Sequence, residues 1–289
     1  MRSKSSLVPL HAAVMLFGIA GLFGKLIALP SIVIVFGRVL FAAVFLFFCT
    51  YTLKHDIRLK EKKDYVSMLL MGAILAFHWV SFFLSIQLST VAIGLLTFSS
   101  FPIFVTFLEP VFFKIKLHVR NLLLAVVVVF GVILVVPVYE ADKAMLAGAL
   151  WGIMSGLSFA VLSLMNKRLA GIYSGLVISF YQDCIAAVIL LPMVLYISPV
   201  FSAKDVLLLT VLGVVFTGVS HALFISSLAN VKAHTASIIA CLEPVYGILL
   251  GVLLLGENPG ARSIAGGCII IGASLYSSIK QVSQPQNAY

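Results

Sequence analysis

The sequence predicts an all-α integral membrane protein. It reads as ten transmembrane helices in two inverted five-helix repeats, residues 1–142 and 143–289, with both termini cytoplasmic. Three observations predict this. Apolar residues make up 62% of the chain and charged residues only 10%, where an ordinary soluble domain carries roughly 25% charged residues. The charges gather in short gaps between long apolar runs. Finally, the second half of the chain registers on the first at a fixed offset, the one that places Phe17 on Phe159.

A helix needs ~20 consecutive apolar residues to cross the hydrocarbon of a bilayer. Ten runs meet that length within a few residues: 8–28, 31–53, 65–87, 90–113, 121–138, 144–165, 174–196, 205–228, 234–255 and 263–279. Charges or helix breakers separate them: Pro30, 54-KHDIRLKEKKD-64, Ser89, 114-KIKLHVR-120, 139-YEADK-143, 166-NKR-168, 198-SPVFSAKD-205, 230-NVKAH-234 and 256-GENPGAR-262. No separator can hold a soluble domain, so function is expected inside the bundle. The N-terminal stretch has the basic start and apolar body of a signal peptide. No small-residue cleavage site precedes a soluble domain, and the stretch reads as the first helix.

Lysine and arginine set the expected orientation, because loops rich in them stay on the cytoplasmic side. With the N-terminus in the cytoplasm, that side collects 14 basic residues and the far side 3, namely Lys143, Lys204 and Arg262. Lys25 and Arg38 lie within spans. The same distribution explains the net charge of +9 without nucleic acid, since no basic stripe with interleaved aromatics exists. Cys49, Cys184, Cys241 and Cys268 all lie in apolar runs, where cysteine behaves as a small hydrophobe. Neither a disulfide framework nor a metal site is suggested.

At the repeat offset, Phe17 falls on Phe159, Lys25 on Lys167, Phe82 on Phe224, Ser85 on Ser227, Pro102 on Pro244 and Arg120 on Arg262. Helix boundaries coincide as well. Each half holds an odd number of helices, so the second must enter the membrane from the opposite side. Secondary transporters use that design, holding substrate near the midplane between repeats.

Four segments carry a family resemblance: 36-FGRVLFAAVFL-46, 76-AFHWVSFFLSIQLSTVAIGLLTFSSFPIFVTFLEPVF-112, 220-SHALFISSLANVKAHTASIIACLEPVYGILLGVLLLGE-257 and 262-RSIAGGCIIIGASL-275. With them the chain resembles the drug/metabolite transporter superfamily, in its EamA-type branch. That resemblance implies transport of a small metabolite, often an amino acid, commonly by export. One departure is visible: 114-KIK-116 stands where the second half has 256-GEN-258.

Ionisable side chains inside a span cost at least ~2.5 kcal/mol on insertion scales, so each needs a partner or a task. Candidate substrate contacts are His78, Trp79, Phe82 and Ser100 in the first half. In the second they are Tyr181, Gln182, Ser220, His221, Phe224 and Tyr246. His78 is read either as a substrate or proton ligand or as an interhelical hydrogen bond. Arg38, Asp183 and Glu243 form the candidate charge network. Glu243 could carry a coupling proton or pair with Arg38, and Asp183 has no obvious partner. Pro102 and Pro244 each remove a backbone donor and are candidate hinges or static kinks. Lys25 and Glu109, near span ends, read as structural. Helices 5 and 10 carry almost no chemistry and are expected at the periphery or at a homodimer contact.

A secondary transporter working by alternating access needs a bundle, a repeat and a polar midplane, and the sequence has all three. An intramembrane enzyme would need a nucleophile–base pair, paired aspartates or a metal motif such as HExxH, and none is present. A receptor or scaffold usually brings a soluble domain. No Walker motif exists, so transport would run on the substrate gradient or on a coupling proton or ion. No cofactor is expected. The expected partners are a small-molecule substrate, membrane lipid and at most a second copy of the chain.

Overall fold

The computed structural model describes residues 2–113, 119–135, 142–231, 236, 239–240 and 242–282. The 114–118 and 136–141 connections, most of 232–241 and the tail from 283 lie outside the described residues, and with them the KIK departure and Cys241. Among the described residues every regular element is helical. In chain order these are α1 (Arg2–Ala20, resumed after a turn by Phe23–Leu26), α2 (Ser31–Thr52), α3 (Lys62–Leu88) and α4 (Val91–Phe98 and Phe101–Phe113). Next come α5 (Val119–Val135), α6 (Lys143–Leu169), α7 (Gly175–Ile197) and α8 (Ala203–Gly213, Val214–Val219 and Ser220–Asn230). The last two are α9 (Glu243–Leu255) and α10 (Ala261–Val282). Seven, α1–α4 and α6–α8, are long and apolar enough to cross a membrane, and α5, α9 and α10 hold shorter apolar stretches.

Local chemistry sets the helix ends. The hydroxyls of Thr90 and Ser174 and the carboxylate of Asp142 accept from backbone N–H groups three residues on, starting α4, α7 and α6. Ser202 and Asp205 cap α8 reciprocally. α7 stops at Ser198 (φ 48°) and α9 at Gly256 (φ 66°), both left-handed. Each proline candidate sits just after a break. Ser100 N donates to Thr97 O (3.2 Å) ahead of Pro102, and Leu242 N donates to Ile239 O (3.0 Å) ahead of Pro244. The two bonds fall on each other at the repeat offset. A proline cannot supply the helical bond the next turn needs, so both helices tighten and restart there.

Packing follows the same exchange. α3 lies along α6 as α1 lies along α8, and α3 meets α7 as α2 meets α8. α4 meets α6 as α1 meets α9, while α2 with α7, α4 with α9 and α5 with α10 are contacts of counterpart helices. α5 and α10 pack on each other around Val128, Val135 and Ile270, a cluster separate from the main core.

The lysines define the two ends of the bundle. Lys25 Nζ, at the end of α1, donates to Ser89 O (2.7 Å) and Gln87 O (3.4 Å) where α3 stops. Lys167 Nζ, at the end of α6, donates to Leu228 O (2.9 Å) and Val231 O (3.4 Å) where α8 stops. Terminal carbonyls of a helix have no intrahelical partner and carry partial negative charge, so an ammonium there satisfies both needs. The two contacts lie at opposite ends. α3 starts at the Lys167 end, where Tyr173 bonds Asp64, and stops at the Lys25 end. At the Lys25 end, Glu257 also accepts from Val91 N (2.8 Å) and Ala92 N (3.3 Å), joining the end of α9 to the start of α4.

Candidate functional site

Polar side chains that the sequence scatters over five helices meet at the middle of the bundle. Arg38 on α2 is 2% exposed. Its Nε donates to Thr217 Oγ1 (2.9 Å), and its guanidinium carbon lies 3.9 Å from the centroid of the Trp79 ring. A guanidinium is weakly hydrated and planar, so stacking on indole is a favourable way to hold it away from water. Two local features place Thr217. α2 and α8 approach so closely at Gly213 that an added Cβ would lie 2.7 Å from Arg38 O. Thr217 itself sits in a π-helical turn, with its hydroxyl donating to Leu212 O (2.7 Å), five residues back. Such widened turns re-aim side chains and recur at functional sites.

An Arg38–Glu243 ion pair, one of the two readings of Glu243, is not made: among the described residues no carboxylate lies within 4 Å of Arg38. The charges of Glu243 and Asp183 still interact with it at longer range. Thr217 and Trp79 hold the guanidinium instead.

Around this group lies a small chamber of about 30 Å³. Arg38, His78, Trp79, Phe82, His221 and Glu243 line it, together with an aromatic wall that includes Phe17, Phe98 and Phe159. His78 is also committed to α6: its Nδ1 lies 3.0 Å from Ser155 O and 2.9 Å from Ser155 Oγ, while Ser155 Oγ donates to His78 O (3.1 Å). A carbonyl only accepts, so Nδ1 carries the proton and Nε2 is the nitrogen left over. The interhelical bond and a place in the chamber wall are therefore compatible. A larger cleft of about 370 Å³ runs between α3 and α6, lined by Ala73, Ile74, Phe77, Met154, Leu157, Ser158 and Val161. It is apolar and lies outside the charged cluster.

The other candidates divide. Asp183 is fully buried behind the chamber wall, its Oδ2 3.9 Å from His221 Nδ1, so its neighbour is a histidine on α8. Phe224 supports the wall through ring contacts with Phe17 (5.6 Å) and Phe159 (6.0 Å). Gln182 is buried against α6, with Nε2 donating to Asn166 Oδ1 (2.7 Å). Tyr181 points to the Lys167 end, where its hydroxyl donates to Ile57 O (2.9 Å). Ser100 and Ser220 bond carbonyls of their own helices. Tyr246 packs beside Gly18 of α1. Pro102 and Pro244 stand at the paired breaks described above.

Sequence reasoning missed Phe17, Phe98, Phe159 and Ser155. Phe17 and Phe159 had a usable signal, because each falls on the other at the repeat offset and both line the chamber. Phe98 and Ser155 have no pattern that separates them from ordinary packing residues.

The chain matches the EamA-like transporter family over residues 6–136 and 146–279. It is 24% identical to an uncharacterized transporter of Bacillus subtilis over 285 residues, covering 97% of this chain and 91% of the relative. It is 26% identical to an S-adenosylmethionine uptake transporter of Rickettsia prowazekii, covering 88% and 86%. A solved crystal structure at 13% identity superposes with a TM-score of 0.71, covering 97% of this chain and 99% of that one, and shares the fold.

Proposed function

This chain belongs to the EamA-like transporter family, and from that premise we propose that it is a secondary transporter for a small amino-acid-like metabolite, working by alternating access. The bundle is then ten spans in two inverted repeats, with both termini in the cytoplasm. The lysine caps at opposite ends, on positions that the repeat makes equivalent, support the inversion.

One observation carries the reading: a buried guanidinium and a buried carboxyl, Arg38 and Glu243, line the same chamber without bonding each other. An α-carboxylate and an α-ammonium group would meet opposite charges there. Arg38 Nε is taken by Thr217, leaving the terminal nitrogens as its remaining donors. The aromatic wall suits the apolar body of the ligand. S-adenosylmethionine, which the Rickettsia relatives are named for, is itself an amino acid. The chamber's small volume means that loading requires the helices to part, and the breaks before Pro102 and Pro244 are the hinges we assign to that motion. In a gradient-driven carrier, direction follows the gradients. Export, expected from the resemblance, and uptake, as in the Rickettsia relatives, are two directions of one cycle.

The test is thermal stabilisation of the purified protein by a panel of amino acids and their derivatives, since a ligand of the folded state raises its stability. Counterflow of any stabilising compound in proteoliposomes follows. The expected result is stabilisation that Arg38→Lys and Glu243→Gln each reduce at least tenfold in apparent affinity. Stabilisation by hydrophobic cations alone, unaffected by Arg38→Lys, overturns the amino-acid assignment.

A further inference from the structure

We infer that Asp183 and His221 form a proton-binding pair at the chamber wall, His221 facing the chamber and Asp183 behind it, distinct from Arg38 and Glu243, which would hold the substrate's charged groups. Both oxygens of Asp183 and Nδ1 of His221 are buried without a hydrogen-bond partner. Yet Asp183 Oδ2 and His221 Nδ1 face each other at 3.9 Å. That gap is about 1 Å longer than a hydrogen bond, which closes at ~2.7–2.9 Å between charged partners. Orphaned buried polar atoms are costly and rare in folded proteins. Two of them facing each other across one gap, on a carboxylate whose other oxygen is also unpartnered, mark a place where something is taken up.

Access decides what that is. Asp183 is fully buried and does not line the chamber, whereas His221 does. A ligand reaching the carboxylate from the chamber must pass the imidazole. A metabolite or a hydrated metal cation is too large for that path; a proton passes through the ring, entering at one nitrogen and leaving at the other. Uptake of one proton makes the pair an imidazolium–carboxylate contact, and drawing the two side chains together moves α7 against α8. Release restores the neutral ring and the longer gap. No other atom changes bonding.

The neighbours of the pair are few. Arg38 of α2, His78 of α3 and Cys184 of α7 lie within electrostatic reach of it, and Glu243 of α9 within reach of Arg38. From α1 and α6 the side of α8 below His221 meets Phe17 and Phe159. As the coupling-proton site, this assignment rests on the carrier reading above. It moves that role away from His78, whose Nδ1 is already bonded to Ser155.

The Trp79 ring lies 5.5 Å from that of His221 in edge-to-face contact and reports its charge. The chain has two tryptophans, so Trp151→Phe leaves Trp79 alone. Its emission is titrated across the pH range 5–9 in lipid nanodiscs with no substrate present. One transition is expected, abolished in His221→Gln, displaced by at least tenfold in proton concentration in Asp183→Asn, and retained in His78→Gln. Absence of a transition in the Trp151→Phe protein overturns the proposal, as does a transition that Asp183→Asn leaves in place or that His78→Gln removes. If Asp183→Asn does not fold, Asp183→Glu must retain the transition, and its loss there in a folded protein counts against the pair. Because the titration uses no substrate, its failure leaves the carrier reading standing. Failure to find a transported amino acid likewise leaves the titration unaffected.

Discussion

The two ends of the bundle and its middle treat the repeat differently. At the ends, Lys25 and Lys167 make the same contact with the last carbonyls of α3 and α8. In the middle, the aromatic pair Phe17 and Phe159 is kept, but the charged positions have diverged: Phe180 corresponds to Arg38, Phe41 to Asp183, Phe101 to Glu243 and Trp79 to His221. Each of these four ionisable groups has an aromatic counterpart. The contrast separates two requirements. A cap on a helix end depends on backbone geometry, which duplication copies. A binding chamber gains nothing from a second identical charge, since two buried guanidinium groups would repel at low dielectric. Symmetry is kept where it supports the scaffold and lost where it would spoil the site.

The largest effect expected is at Arg38. Arg38→Ala removes the donor to Thr217 and the cation stacked on Trp79 and leaves a buried cavity, and should destabilise the protein by about 2–5 kcal/mol, read as the midpoint of denaturant unfolding in detergent. Phe180→Ala, at the counterpart position and only half-buried, should cost about 1–2 kcal/mol, below the range of fully buried aromatic truncations. Equal losses would remove the contrast. Next is Gly213→Ala, whose added methyl would sit 2.6 Å from Phe41 Cβ. Forcing α8 off α2 should cost about 1–3 kcal/mol, as overpacking does. It should also weaken the Arg38–Thr217 bond, with loss of amino-acid stabilisation as the readout.

The end caps come third. Lys167→Met should cost about 1–2 kcal/mol, typical of a hydrogen bond to a charged group. Lys25→Met makes the same change at a more exposed site, where screening should reduce it to about 0.5–1 kcal/mol. Their effects should add, because the two sites lie at opposite ends and share no partner. The smallest effect sharpens the one asymmetry between the ends. Glu257→Gln keeps one acceptor oxygen, enough for Val91 N, but turns an amide NH2 toward Ala92 N and removes the charge at the start of α4. A loss of about 0.3–1 kcal/mol is expected from that interaction. High salt should erase the difference from wild type; a difference that salt leaves intact would assign Glu257 to packing.

Much of the fold was legible because membrane insertion imposes simple rules on sequence. Apolar length marks the helices, and the places where Pro102 and Pro244 interrupt them could be named in advance. The repeat offset anticipated the Lys25 and Lys167 pairing, although that pairing was read only as a coincidence of identities and not as a cap. The site was less legible. His78, Trp79, Phe82 and His221, candidate substrate contacts, line one small chamber together with Glu243, a candidate of the charge network. Tyr181 was expected beside them and instead reaches the loop at Ile57. On a helix, successive residues point about 100° apart. Without the neighbours of α7, nothing decides which of Tyr181, Gln182 and Asp183 turns inward.

By itself, then, the sequence determined the apolar helices, their breaks, the offset at which the two halves register and which polar groups needed an explanation, because each depends on a local run or a fixed offset. Only the tertiary structure decided the partners. Arg38 takes Thr217 and Trp79 rather than Glu243, Asp183 faces His221, and His78 bonds Ser155. These choices depend on helix rotation and on close approaches such as the one at Gly213, which fix distances to fractions of an ångström. Side chains many residues apart on different helices leave no spacing in the sequence from which such distances can be read.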